Sequence, residues 1–140
     1  MSAIAACSAI IRAHRSSNAT LALASYNRGI AYRLKRRFDR ARSDLDHAIR
    51  FMPDFAAAYL ERGIAHYEMR NYPQAIADDD AAIRLQPDMA EAFNNRALAR
   101  LKLGQFDLAT ADFNQTIRLH QYYGNALINR SLGPVLPPRL

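Results

Sequence analysis

The sequence predicts an all-α fold, a solenoid of antiparallel helix pairs with no strand. Three observations predict it. Three segments of the 140-residue chain align without gaps at a spacing of 34 residues. Each segment reads as two helices whose apolar faces cannot be buried by the pair alone, so stacking has to complete the core. The composition suits such a core: half the residues are hydrophobic, Gly (5) and Pro (6) are scarce, and Trp is absent, unlike a disordered or collagen-like chain.

The repeat is explicit in the residues. Asn27-Arg28-Gly29-Ile30-Ala31 recurs as Glu61-Arg62-Gly63-Ile64-Ala65 and as Asn95-Arg96-Ala97-Leu98-Ala99. Ala48-Ile49-Arg50 recurs as Ala82-Ile83-Arg84 and Thr116-Ile117-Arg118. Phe38, Tyr72 and Phe106 share one place, and Ala41, Ala75 and Ala109 another. The units are therefore 22–55, 56–89 and 90–123.

In the second unit, Tyr59, Gly63 and Tyr67 fall on one helical stripe. A turn is expected near Asn71, with Pro73 suited to the first turn of the next helix. Ala75, Ala82, Ile83 and Leu85 continue the apolar face until Pro87 ends it. Small residues at Gly29, Gly63 and Ala97 allow two backbones to approach closely.

The ends read as half-repeats. Residues 1–21 hold a second-type helix at 3–12 and a linker, in which Cys7, Ile10 and Ile11 occupy the places of Leu45, Ala48 and Ile49. Ser16, Ser17 and Asn18 offer N-caps for a lengthened helix before Asn27. Residues 124–132 read as a short first-type helix carrying Asn129-Arg130-Ser131. Gly133 and Pro134 stop it, and Pro137-Pro138 keeps the tail at 133–140 extended. Eight helices are expected, the last one short.

This pattern resembles the tetratricopeptide repeat (TPR) family in its bacterial-type form, over the whole of residues 22–123. The family-preferred residues present are Gly29, Tyr32, Ala41, Leu45, Ala48 and Pro53 in the first unit. The second has Tyr59, Gly63, Ala75, Ala82 and Pro87, and the third has Phe93, Ala97, Ala109 and Phe113. The resemblance implies a right-handed superhelix and a non-catalytic interaction scaffold. Its first helices would line a concave groove formed by Tyr26, Asn27, Ile30, Arg33, Leu60, Glu61, Ile64, Tyr67, Asn94, Asn95, Leu98 and Asn129. Such an apolar strip edged by amides suits an extended peptide or a helix. The Asn residues serve equally well as structural bonds between neighbouring helices. The carboxylate clamp of co-chaperone members, built of Lys, Arg and Asn, is absent. Its five places hold Tyr26, Ile30, Glu61, Glu91 and Asn95, or, one unit later, Leu60, Ile64, Asn95, Asn125 and Asn129.

The seventh place of each unit, usually a large aliphatic in the family, is Arg28, Arg62 and Arg96. Sixteen residues on stand Asp44, Asp78 and Asp112. Because the units are internal copies, this is covariation inside one sequence. It favours a ladder of structural ion pairs over three solvated Arg and three solvated Asp. His66 replaces the Tyr32-type residue and Asp79 the Leu45-type residue, and a polar group at either place needs a partner.

No constellation carries catalytic chemistry, so no enzymatic activity, cofactor or metal is expected. There is no Gly-rich phosphate loop, and His14, His47 and His120 lack metal-ligand spacing. The single cysteine, Cys7, excludes an internal disulfide framework. The net charge of +6 is uneven: residues 22–55 carry 8 basic and 4 acidic side chains, and residues 56–89 carry 3 and 6. The basic turn from Arg33 to Arg42 lacks stacking aromatics, so an acidic or nucleic-acid partner ranks below a protein or peptide. Head-to-tail self-association through the unfinished ends is a further alternative. No apolar run approaches the roughly 20 residues of a membrane span. A cytoplasmic location is expected of the chain as it stands. A periplasmic or secreted one applies if a signal lies upstream of Met1, since the sequence opens in mid-repeat.

Overall fold

The computed structural model describes residues 2–13 and 17–128. The described residues form seven helices and no strand: α1 (Ala3–Arg12), α2 (Asn18–Leu34), α3 (Phe38–Phe51), α4 (Ala56–Glu68), α5 (Tyr72–Leu85), α6 (Ala90–Lys102) and α7 (Phe106–Ile128). The chain is an all-α solenoid.

Local chemistry explains the boundaries. The Ser17 hydroxyl accepts from the Thr20 backbone N–H at 3.2 Å and starts α2, and Ser2 does the same for α1 from Ala5 at 3.1 Å. Each first helix ends in one motif. Asn71 N–H donates to the His66 carbonyl at 2.8 Å and Arg70 N–H to the Tyr67 carbonyl at 2.9 Å. The same pair of bonds recurs at Arg37 and Arg36, and at Gln105 and Gly104. This is the helix stop that requires a left-handed residue. That residue is Arg36 (φ 60°), Arg70 (φ 64°) and Gly104 (φ 74°).

The second helices of the first two units end at Phe51 and Leu85, just before Pro53 and Pro87. The third differs. A separate eighth helix from 124 was expected, but the backbone stays helical from Phe106 through Gly124 to Ile128. The cause is Gln121, which stands where the other units have proline. Nothing removes a backbone donor there, and Gly124 alone weakens a helix by only about 1 kcal/mol. The rest of the expected terminal helix, with Asn129 and Arg130, and the proline-rich tail lie outside the described residues.

Packing follows the sequence order. Each helix contacts its neighbours in the chain, and α2 also contacts α4, and α4 contacts α6. The second helices α3, α5 and α7 make no such contacts with one another. First helices are therefore drawn together and second helices splay apart, so the stack is concave on the side of α2, α4 and α6. Within a hairpin the seam is alanine: Ala41, Ala48, Ala75, Ala82 and Ala109 are fully or almost fully buried. At Gly29 the seam is tightest, for a Cβ there would stand 2.9 Å from Leu45 Cγ and 3.3 Å from the Ala41 carbonyl. Between units two and three, Leu60, Ala82, Met89 and Ala92 form a buried cluster with Tyr59, Ile64 and Ile83 against it.

Candidate functional site

The first and second helices are held in register by half-buried arginines that reach buried carboxylates. In each hairpin an Arg of the first helix grips an Asp of the second with both ends of its guanidinium fork. Arg28 Nε and Nη2 donate to Asp44 at 2.8 and 2.6 Å, Arg62 to Asp78 at 2.9 and 2.7 Å, and Arg96 to Asp112 at 2.9 and 2.7 Å. The carboxylates are 5–7% exposed at the side chain, so the planar bidentate match is what makes their burial tolerable. Hydrogen bonding to the carboxylate raises the pKa of each arginine, most strongly at Arg62 and Arg96. The remaining nitrogen reaches backwards. Arg62 Nη1 meets Asp46 at 3.0 Å, Arg96 Nη1 meets Asp80 at 2.8 Å, and Arg28 Nη1 meets Ser8 at 3.0 Å. One side chain thus ties together both helices of its unit and the last helix of the unit before. Each cation also lies over an aromatic ring: Arg28 over Tyr32, Arg62 over Tyr59, and Arg96 over Phe93.

A third place varies beside this ladder. Arg100 adds a second cation to Asp112 at 2.7 Å, whereas its counterpart His66 stays 3.8 Å from Asp78. Burial lowers the His66 pKa, outweighing the nearby Asp78 carboxylate, and so favours the neutral ring, whose Nδ1 is buried and unbonded.

On the concave face, Ile30, Ile64 and Leu98 occupy one place in three successive first helices and are each half-buried. Asn94 and Asn95 are half-buried beside them and Asn27 is exposed. Tyr26 packs on Phe55 with ring centroids 4.7 Å apart, and Tyr67 on Tyr72 at 5.4 Å. Burial, with Glu61 second, raises the Tyr26 phenol pKa.

Three residues expected to present themselves to a ligand are otherwise engaged. Leu60 is only 9% exposed and belongs to the cluster with Ala82, Met89 and Ala92, because its place on α4 turns towards the neighbouring hairpin. Arg33 Nε donates to Glu61 at 3.1 Å and its Nη1 to Glu68 at 2.9 Å. Arg33 and Glu61 therefore bridge α2 to α4 across the floor of the groove. The triad was missed because its separations, 28 and 35 residues, do not match the repeat.

Between α4, α5 and α6 the groove floor opens into a cavity of about 60 Å³ lined by Gly63, Ile64, Tyr67, Asp79, Asn95 and Leu98. Asp79 is 1% exposed, and its Oδ1 has no hydrogen-bond partner. Burial, followed by the Asp78 carboxylate, pushes its pKa up to about 8. The basic turn forms a separate, shallow depression of Arg36, Arg37, Phe38, Asp39, Arg40 and Met69. There Arg36 lies over the Phe38 ring at 5.2 Å.

This architecture defines a helical-repeat protein whose first helices share one curved face. The family profile described as tetratricopeptide repeat matches residues 26–90 and again 60–124, well over half the chain. The chain belongs to the tetratricopeptide repeat family. No curated protein sequence matches it. Among solved structures it is similar to MamA, at 22% identity over 87% of this chain and 69% of that one, with a TM-score of 0.80. It is also similar to the TPR domain of Arabidopsis OM64, at 22% identity over 83% and 96%, with a TM-score of 0.74. A third is the second TPR of Spaghetti (RPAP3) bound to the HSP90 peptide SRMEEVD, at 26% identity over 70% and 91%, with a TM-score of 0.69.

Proposed function

We propose that this chain is a protein-interaction scaffold that receives an extended peptide or helix along its concave face, without catalysis. The observation that carries the reading is the strip Ile30, Ile64 and Leu98. It places three aliphatic side chains at one height on adjacent helices, each half-buried and flanked by Asn27, Asn94 and Asn95. Aliphatics at a regular interval bury alternate side chains of a ligand, and amides bond its backbone. The RPAP3 structure holds a peptide, which supports peptide binding as the use of the fold. A chaperone's terminal carboxylate is not the ligand favoured here. Tyr26, Ile30 and Glu61 stand at clamp places, and Glu61 is committed to Arg33.

The test is selection of displayed random 12-residue peptides on the full chain, followed by binding to Ile30→Lys and Leu98→Lys variants whose helicity is checked by circular dichroism. Peptides that lose at least tenfold in affinity for both folded variants support the groove. Peptides indifferent to both move the site elsewhere.

A second reading, self-association through apolar surface on α6 and α7, has its own support. Leu101, Leu103, Phe106 and Ile117 are 40%, 41%, 65% and 52% exposed. Ile83, at the place of Ile117 one unit earlier, packs against the cluster that includes Met89 and Ala92 of the next hairpin. Light scattering across a wide concentration range tests this reading, and a constant monomeric mass refutes it.

A further inference from the structure

The groove floor contains a buried acid that the repeat does not call for. The place of Asp79 is Leu45 in the first unit and Phe113 in the third. In an ordinary stack it is a core position, yet here its Oδ1 is buried without a partner beside a cavity of about 60 Å³. The space exists because Gly63 has no side chain: a Cβ there would stand 3.0 Å from Asp79 Oδ1. The cavity walls are the aliphatic faces of Ile64 and Leu98, with Tyr67 and Asn95 as polar neighbours. Two of these walls belong to the strip proposed to receive the ligand.

We propose that the Gly63–Asp79 cavity is a subsite for a lysine side chain of the bound peptide, its methylene stem between Ile64 and Leu98 and its ammonium on Asp79. This rests on the concave-face reading above. The stem has to be long and apolar, because Asp79 is 1% exposed and lies behind aliphatic walls. A compact ammonium with three donors fits a narrow floor better than a planar guanidinium.

Among Asp78, Asp79, Asp80 and Asp112, Asp79 alone has no arginine bonded to it. The groups acting on Asp79 are the carboxylates of Asp78 and Asp80 on its own helix and of Asp112 on α7, against Arg96 on α6. Asp78 is bonded to Arg62, Asp112 to Arg96 and Arg100, and Asp80 to Arg96. Tyr67 from α4 is the other titratable group at the cavity. With its pKa pushed up to about 8, Asp79 is mostly protonated at pH 7 when the cavity holds no cation. When the ammonium enters with its three protons, the carboxyl proton leaves to solvent and an ion pair remains. A wall-buried neutral acid thus accepts a cation without leaving an unpaired charge in the empty state.

The direct probe is n-butylammonium, the end of a lysine side chain, titrated into the isotopically labelled full chain against n-butanol as the uncharged control. Saturable shifts of the Ile64 and Leu98 methyls and of the Asp79 carboxyl carbon are expected, with at least a tenfold preference for the ammonium. Asp79→Leu, which installs the residue of the first unit, and the near-isosteric Asp79→Asn should both fold and both lose the preference. Equal binding of the two probes, or a preference that survives in both variants, overturns the proposal and leaves the cavity as a water site. The displayed-peptide selection separates this from the parent reading. Groove-dependent peptides with no lysine enrichment end the subsite alone. Ammonium preference with no groove-dependent peptide ends the groove reading while the cation pocket stands.

Discussion

Arg62 Nη1 lies 3.0 Å from Asp46 Oδ1, across the boundary between the first and second units, while its other nitrogens hold Asp78 within its own. The same side chain therefore makes one buried, bidentate contact and one more open contact. Asp46 is 42% exposed at the side chain and Asp78 7%. Removal of Asp78 takes the bidentate partner from a half-buried guanidinium that keeps Asp46, so Asp78→Ala should cost about 3 kcal/mol, the low end for a buried pair. Asp46→Ala should cost about 0–1 kcal/mol. Urea unfolding of the two variants checks the ratio, and equal losses would show that burial does not set the worth of these pairs.

Stability should depend on pH through Asp79. Its folded-state pKa, about 8, is raised above the usual carboxylate range, so between about pH 4 and 8 the folded chain binds more protons than the unfolded one. Its contribution to stability is therefore greatest at low pH and is lost as pH rises to about 8, with a slope of at most about 1.4 kcal/mol per pH unit. His66 acts in the opposite sense. Its pKa is lowered, so it favours the folded state as pH rises through the histidine range. Comparison with Asp79→Leu removes the His66 contribution common to both. The wild type should lose stability relative to this variant as pH goes from 5 to 8. A pH-independent difference would mean that Asp79 ionises normally.

The turns offer a backbone test. Arg70 takes φ 64° in a helix-ending motif whose counterpart in the third unit is Gly104, with φ 74°. A side chain at such an angle costs roughly 1–2 kcal/mol. Arg70→Gly should recover about 1 kcal/mol and raise Tm, despite the entropy glycine adds to the unfolded chain. Gly104→Ala should lose a similar amount. No atom stands within 4 Å of a Cβ built at Gly104, so any loss there is backbone strain and not a clash. An unchanged Tm in both variants would refute the strain.

What could be read in the sequence depended on repetition. Arg28, Arg62 and Arg96 face Asp44, Asp78 and Asp112 at a constant separation, and three copies of one pairing are visible without coordinates. The backward contacts to Asp46 and Asp80 recur only twice. Arg12 and Asn114 stand at the corresponding places, so the pattern is broken at both ends. The groove was legible as a set of helix faces but not as a set of free side chains. Leu60 and Ile64 share a face at helical spacing, and only the neighbouring Met89 and Ala92 decide that Leu60 is the one buried. The polar oddity of Asp79 was visible, but not the cavity beside it. That cavity depends on Gly63 and on the approach of α6.

The end of α7 rests on a single residue type. Pro53 and Pro87 follow the second helices of their units, and Gln121 takes that place in the third. The helix then runs through Gly124 to Ile128. Proline within a helix removes one hydrogen bond and clashes with the preceding turn, at about 3 kcal/mol. It also turns the residue before it away from helical geometry. Gln121→Pro should therefore end α7 near Leu119, as Phe51 and Leu85 end theirs. Backbone chemical shifts of residues 121–128 report this directly: helical values in the wild type should move towards coil or to a new helix start in the variant. The buried ladder lies earlier in the helix, at Asp112, so the shifts of residues 106–116 should stay as they were. Helical shifts that persist unchanged across 118–128 in the variant would show that the missing proline is not what lets the helix run on.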